Sequence, residues 1–327
     1  MNTDSALYAD DFVLSSTNPS SDSIRIFAPT RGLNQQGFFA PHGVTFNNTA
    51  GGGLLIQSDR INSSAWSPNF EPKITYRISG DVVLEPVGAS FAAAERVGFA
   101  GYSTGFSTSP TLFRYGKPGN NANISLNQVS ITASHTIAIY GNQIEIPATS
   151  ATSSLAVTGA GGQILLRANS NIVVAPGRQI RANSVPVILW SDANIGQSGY
   201  ISFSGVVSTT FSPDVASSNG APIYFGGGAS RTVAFAGVSY EVPTGSSFGS
   251  TTFTGISLTG ATVHSGQGLI RLSGASSNAS GTTTTSDGVR VASTTIRSVT
   301  GEISVSGTTQ AIGGRRGISV ESSSLIE

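Results

Sequence analysis

Along this chain, two apolar residues repeatedly flank a third that is often small or polar, with Gly, Ser, Thr or Asn close by. The triplets read Ile164-Leu165-Leu166, Ile172-Val173-Val174, Val187-Ile188-Leu189, Ile201-Ser202-Phe203 and Ile223-Tyr224-Phe225. They continue as Val233-Ala234-Phe235, Ile256-Ser257-Leu258, Ile270-Arg271-Leu272, Val289-Arg290-Val291, Ile303-Ser304-Val305 and Ile318-Ser319-Val320. Apolar residues at alternate positions predict short strands with one buried face. Strong helix formers are sparse, and only Ala92-Ala93-Ala94-Glu95-Arg96 reads as a helical turn, too short to stand alone.

Spacing chooses among all-β folds. An antiparallel sandwich needs hairpin signals between neighbouring strands, and only Asn219-Gly220 and Asp287-Gly288 supply them. Ile164 and Val187 start strands about 23 residues apart, Ile201 and Ile223 about 22, and Ile164 and Ile172 about 8. Such intervals predict coils of roughly 20 residues or more, each carrying two or three strands. The expected fold is therefore an all-β, right-handed parallel β-helix, a solenoid whose equivalent strands stack about 4.8 Å apart. Ile164 and Leu166 would face inward, and Arg271, Arg290 and Ser304 outward.

Residues 1–120 predict less regular coils, with strands at 23–27, 43–46, 54–56 and 81–84. Within them, residues 89–121 hold Phe91, Phe99, Tyr102, Phe106, Phe113 and Tyr115 among Gly and Ser. This stretch reads as the one irregular loop excursion of the fold. Residues 121–327 predict the regular stalk, and the two parts form one continuous solenoid. The strand cadence runs on through Glu302 to Glu327 with no polar capping repeat, so the end is expected to fray or to stack on another copy.

Composition narrows the function. Charged residues are 10% of the chain, and 17 basic residues balance 17 acidic ones. A neutral chain lacks the basic surface of a nucleic-acid binder. Arg315-Arg316 is the only adjacent Arg pair and reads as a solvated turn. With no Cys there is neither a disulfide nor a thiolate metal site. No window approaches the roughly 18 apolar residues of a membrane span. Met1 to Asp11 is polar and acidic, unlike a signal peptide.

Three segments carry a family resemblance. The first runs from Tyr115-Gly116-Lys117-Pro118-Gly119-Asn120-Asn121-Ala122-Asn123-Ile124 to Ile137-Ala138-Ile139-Tyr140-Gly141-Asn142-Gln143-Ile144. The second is Gly162-Gln163-Ile164-Leu165-Leu166-Arg167-Ala168 with Asn171-Ile172. The third is Val187-Ile188-Leu189-Trp190-Ser191-Asp192-Ala193, then Gly199-Tyr200-Ile201 and Ile223-Tyr224-Phe225-Gly226-Gly227-Gly228. In this order they resemble the repeat regions of large bacterial surface and secreted proteins of the filamentous-haemagglutinin type, over roughly residues 40–320. The resemblance implies a secreted or cell-surface β-helical stalk for adhesion or matrix building. Its partners would be glycans or proteins of host or neighbouring cells, or a second copy head to tail. It implies no catalytic residues and no cofactor. The family's export domain is missing, which makes the chain an expected internal section of a longer polypeptide.

The rival reading is a β-helical carbohydrate-active enzyme or a glycan-binding, tailspike-like protein. Enzymatic chemistry of this kind needs two or three convergent carboxylates. Asp192, Asp214 and Glu241, near one coil length apart, are the best such set, although Asp192 and Asp214 read more simply as turn formers. His42, His135 and His264 are far apart and lie among small residues, which argues against a metal site. Gly226-Gly227-Gly228 and Gly313-Gly314 lack the Asp of calcium-binding repeats. The chain is therefore expected not to be an enzyme. Trp66, Phe70 and Tyr76, near Pro68 and Pro72, form an aromatic group that would contact a ligand or partner if exposed.

Overall fold

A computed structural model describes residues 5–8, 12–28, 36–39, 44–62, 74–97, 105–106, 108–127, 130–148, 154–193, 199–210, 219–249, 253–276, 286–309, 316–321 and 323–327. Among them every regular element is a strand, and the pairing is parallel apart from one hairpin and one isolated bridge. This is the stacked-strand arrangement of a parallel β-helix. The chain forms two compact units, Met1–Asn142 with Thr149–Thr158, and Gln143–Ala148 with Gly159–Glu327.

In the N-terminal unit, Ile24–Phe27, Leu54–Gln57, Val82–Glu85, Leu112–Tyr115 and Thr136–Gly141 form one parallel ladder. Its register aligns Ile24, Leu54, Val82, Phe113 and Ile137 in one inward column. Ile26, Ile56, Leu84, Tyr115 and Ile139 make the next, and all ten side chains are buried. Phe12–Ser15, Val44–Asn48, Ile74–Ile78 and Gly105–Phe106 form a second ladder. Buried asparagines hold the corners. Asn120 Oδ1 accepts the backbone N–H groups of Phe91 and Ala122, while its Nδ2 donates to the Tyr140 carbonyl. Such bonds satisfy backbone groups that leave the ladder at each bend.

The C-terminal unit repeats a three-strand coil. Its long ladder contains Gln163–Ala168, Val187–Ser191, Ile223–Phe235, Ile270–Ser276 and Ile303–Thr309. Its second ladder runs from Ile144–Ile146 through Ile172–Val174, Ile201–Phe203, Ile256–Thr259 and Val289–Ala292 to Ile318–Val320. A third joins Gln179–Ala182, Val206–Ser208, Thr262–His264, Thr295–Arg297 and Leu325–Ile326. Ile164 and Leu166, expected inward, have no exposed surface and begin columns that continue through Val187 and Leu189 to Ile223 and Phe225. Phe203 meets Phe225 edge to face, with centroids 5.5 Å apart, and so links the second ladder's interior to that of the long one.

Several expectations need correction. Glu95–Val97 is a strand, not part of a helical turn, because it pairs with Ile124–Leu126. Asn219-Gly220 and Asp287-Gly288 precede ladder strands and form no hairpin. Ile201 and Ile223 belong to different ladders, so their spacing is not a coil length. The described part of 89–121 is built into the stack through Glu95–Val97 and Leu112–Tyr115, and it buries Phe91, Phe113 and Tyr115. Phe99 and Tyr102 lie outside the described residues. An excursion from the stack occurs where Ile223–Phe235 runs on past its ladder and pairs antiparallel with Val238–Gly245. Ala236 and Gly237 both have positive φ, 50° and 79°, the pattern of a two-residue type I′ hairpin turn.

Candidate functional site

The sequence-nominated aromatic group does not form a surface in its described member. Tyr76 is 3% exposed and stacks on Phe46, centroids 5.9 Å apart, because its position on Ile74–Ile78 points inward. Trp66 and Phe70 lie outside the described residues.

The carboxylates stand in dissimilar places. Asp192 is buried at the end of Val187–Ser191 with φ +51°, a turn former as its sequence suggests. Glu241 sits on the exposed face of the hairpin, 3.6 Å from Arg167. Asp214 lies outside the described residues. Among the described residues no three His, Asp or Glu side chains gather as metal ligands. His135 lies in the N-terminal unit beside Ser134, with Nδ1 to Oγ 3.0 Å, whereas His264 is buried in the C-terminal unit near Thr210. His42 lies outside the described residues.

The outer side of the C-terminal unit carries two built features. The first is the hairpin. Val187–Ser191 and the first five residues of Ile223–Phe235 are buried on both faces, unlike an ordinary coil strand with one solvated side. The return strand of the hairpin packs against Val187–Ser191 and buries Tyr240 and Val242. Trp190, an outward position, donates its indole N–H to the Gly228 carbonyl at 2.9 Å. The Arg167 guanidinium lies 4.2 Å over the Trp190 ring. A small second core is thus assembled outside the first, capped by a cation–π pair worth about 0.5–1 kcal/mol. On the other side of the hairpin, Thr232, Ala234, Ser239 and Glu241 are exposed.

The second feature is an aromatic stack. Tyr200 and Phe253 lie face to face, centroids 4.6 Å apart and planes 10° from parallel. Tyr200 is half-buried, and Phe253 stays 48% exposed. Tyr200 points outward because it precedes inward Ile201 by one residue. On the adjacent coil the equivalent position is Gly255, where a Cβ would meet the Ala275 and Ser247 carbonyl oxygens at 2.3 and 2.5 Å. Phe253, two residues before Gly255, covers the Tyr200 ring. Burial, and then the Glu145 carboxylate, push the Tyr200 hydroxyl above its ordinary pKa, so it remains protonated at neutral pH.

The N-terminal unit hides one acid. Glu95 is 2% exposed and stands in register with buried Ile124. The Tyr115 hydroxyl lies 3.0 Å from its Oε2 and 3.4 Å from the Ile61 carbonyl oxygen. Desolvation pushes the carboxyl up to about 8, against the opposing pull of the Tyr115 hydrogen bond, Arg60 and the Ile61 backbone. At neutral pH it is therefore mostly uncharged, and it acts as a buried structural group rather than a charge offered to a ligand. The chain matches no protein-family model, no curated protein and no solved structure.

Proposed function

We propose that the chain is a structural and adhesive segment of a large bacterial cell-surface or secreted protein, and not an enzyme. The coil stack supplies length and stiffness, and its outer decorations supply contact with glycans or proteins of other cells. The observation that carries the reading is the division of labour in the C-terminal unit. Its interior columns are aliphatic and aromatic, while the second ladder's outward row runs Glu145, Val173, Ser202, Ser257 and Arg290, a mixed polar surface. Added chemistry sits outside the coil, in the hairpin and the Tyr200/Phe253 stack. The two described members of the carboxylate set also fit this reading, one a buried turn former and the other ion-paired on the hairpin.

The C-terminal coil leaves Ile318 and Val320 41% and 50% exposed, with Leu325 and Ile326 at 48% and 41%. Apolar columns exposed in this way suit further stacking, whether by more of the same chain or by a second copy. The adhesive reading is tested with beads coated by the intact chain and passed over epithelial and bacterial cell layers. Retention above albumin-coated beads, abolished by excess soluble chain, is expected. Retention equal to albumin on every surface would remove the adhesive function.

A further inference from the structure

We propose that the Tyr200/Phe253 stack, together with Asn171, Ser202 and Glu145 on the same outer face, is a contact site for neutral polysaccharide. The proposal rests on the adhesive reading above and gives it a location and a ligand class.

The first observation is the state of the rings. Phe253 lies flat on Tyr200, yet about half of its surface stays in solvent. A flat, exposed aromatic face accepts the C–H face of a pyranose ring, an amphipathic surface matching that of the ring. Stacking on Tyr200 also fixes the orientation of Phe253 before any ligand arrives, which lowers the ordering cost of binding.

The second observation is the polar rim. Strand alternation puts Tyr200 and Ser202 on one outer row each, and the ladder register sets Glu145, Val173, Ser202 and Ser257 side by side. Asn171 Oδ1 accepts the Tyr200 backbone N–H at 3.1 Å, which orients the side-chain amide with its NH2 group as a donor. A carboxylate, an amide, a serine hydroxyl and a protonated phenol beside an aromatic face match the vicinal hydroxyls of a sugar. The open sheet face suits an extended chain better than a single residue held in a pocket.

The third observation is charge. The strip contains the Glu145 carboxylate, and the Arg on its outer row, Arg290, is held by both carboxylate oxygens of Glu321 at 2.6 and 2.9 Å. With its cation committed, the strip disfavours uronate and sulfate groups and favours uncharged sugars.

The test measures binding of the intact chain to soluble β-glucan, mannan and dextran, with heparin as the anionic probe, and compares Phe253→Ala and Tyr200→Ala. Phe253 is partly exposed, so Phe253→Ala should keep the wild-type circular dichroism and melting profile. The expected result is binding to at least one neutral glycan, weakened about five- to ten-fold by Phe253→Ala. Heparin should bind more weakly than that glycan. Neutral-glycan binding unchanged in a folded Phe253→Ala overturns the site. Binding to heparin alone overturns the ligand class. If beads adhere to cells but no neutral glycan binds, this inference fails and the adhesive reading survives; if neither occurs, both fail.

Discussion

The two units fill the same kind of interior with different chemistry. In the C-terminal unit, Ile164, Val187, Ile223 and Ile270 follow one another without a polar interruption, and Ile172, Ile201, Ile256 and Val289 do the same. In the N-terminal unit, Glu95 takes the place held one coil later by Ile124, and Tyr115 stands in the column of Leu84 and Ile139. A β-helix interior therefore tolerates an acid, provided that the acid is neutral and bonded. The repeat therefore specifies shape first, with chemistry free to vary where a partner is within reach.

A charge without a partner should have the largest effect on a C-terminal column. Leu189→Asp puts a carboxylate into a fully buried column of the C-terminal unit. A loss above about 4 kcal/mol is expected, enough to abolish cooperative unfolding of that unit in a urea titration. A change below about 1 kcal/mol would mean that the interior is wet or loosely packed.

The next effect comes from pH. The Glu95 carboxyl is raised from an ordinary 4.5 to about 8 in the folded unit. Between these values the folded state holds a proton that the unfolded state has released, so stability falls as pH rises. The Glu95 contribution is complete below about 4.5, is lost by about 8 and stays flat above. At roughly 1.4 kcal/mol per pH unit, the loss amounts to about 5 kcal/mol in order of magnitude. Amide hydrogen exchange of Leu112–Tyr115, referenced to an unstructured peptide, should slow on acidification across this range. Glu95→Gln should remove the dependence. A dependence that persists in Glu95→Gln would assign it to another group.

The smallest effect concerns the outer core. Arg167→Ala removes the cation over Trp190 and the partner of Glu241, which is 62% exposed. Faster amide exchange in Val238–Gly245 is expected, with about 0.5–1 kcal/mol lost locally and the coil ladders unaffected. Equal acceleration in Ile172–Val174 would show that the hairpin and the coil form one cooperative body.

The strand triplets were legible because each has two apolar residues at alternate positions. Ten of the eleven triplets lie in parallel ladders. Val233-Ala234-Phe235 shares the cadence but lies in the hairpin, since alternation records a buried face and not the direction of the neighbouring strand. The third ladder of the C-terminal unit was open in the sequence, as the third of two or three strands per coil, because each of its strands buries one large apolar residue, Ile180, Val207, Val263 or Ile296, too few for a period. The hairpin was hidden by its turn, Ala236-Gly237, which carries only the Gly of the usual Asn-Gly signal. Nothing in the sequence pairs Tyr200 with Phe253, because their approach depends on coil stacking. Glu95 was equally obscure, lying in an alanine-rich segment that resembled a helical turn.

If the folded coil stack displays the contact surface, adhesion must depend on folding. Bead retention on cell layers by the wild-type chain and by Leu189→Asp at equal coating density measures this. The wild type should be retained, and Leu189→Asp should fall to the albumin level. Equal retention of the two would place adhesion in unfolded segments and contradict that dependence.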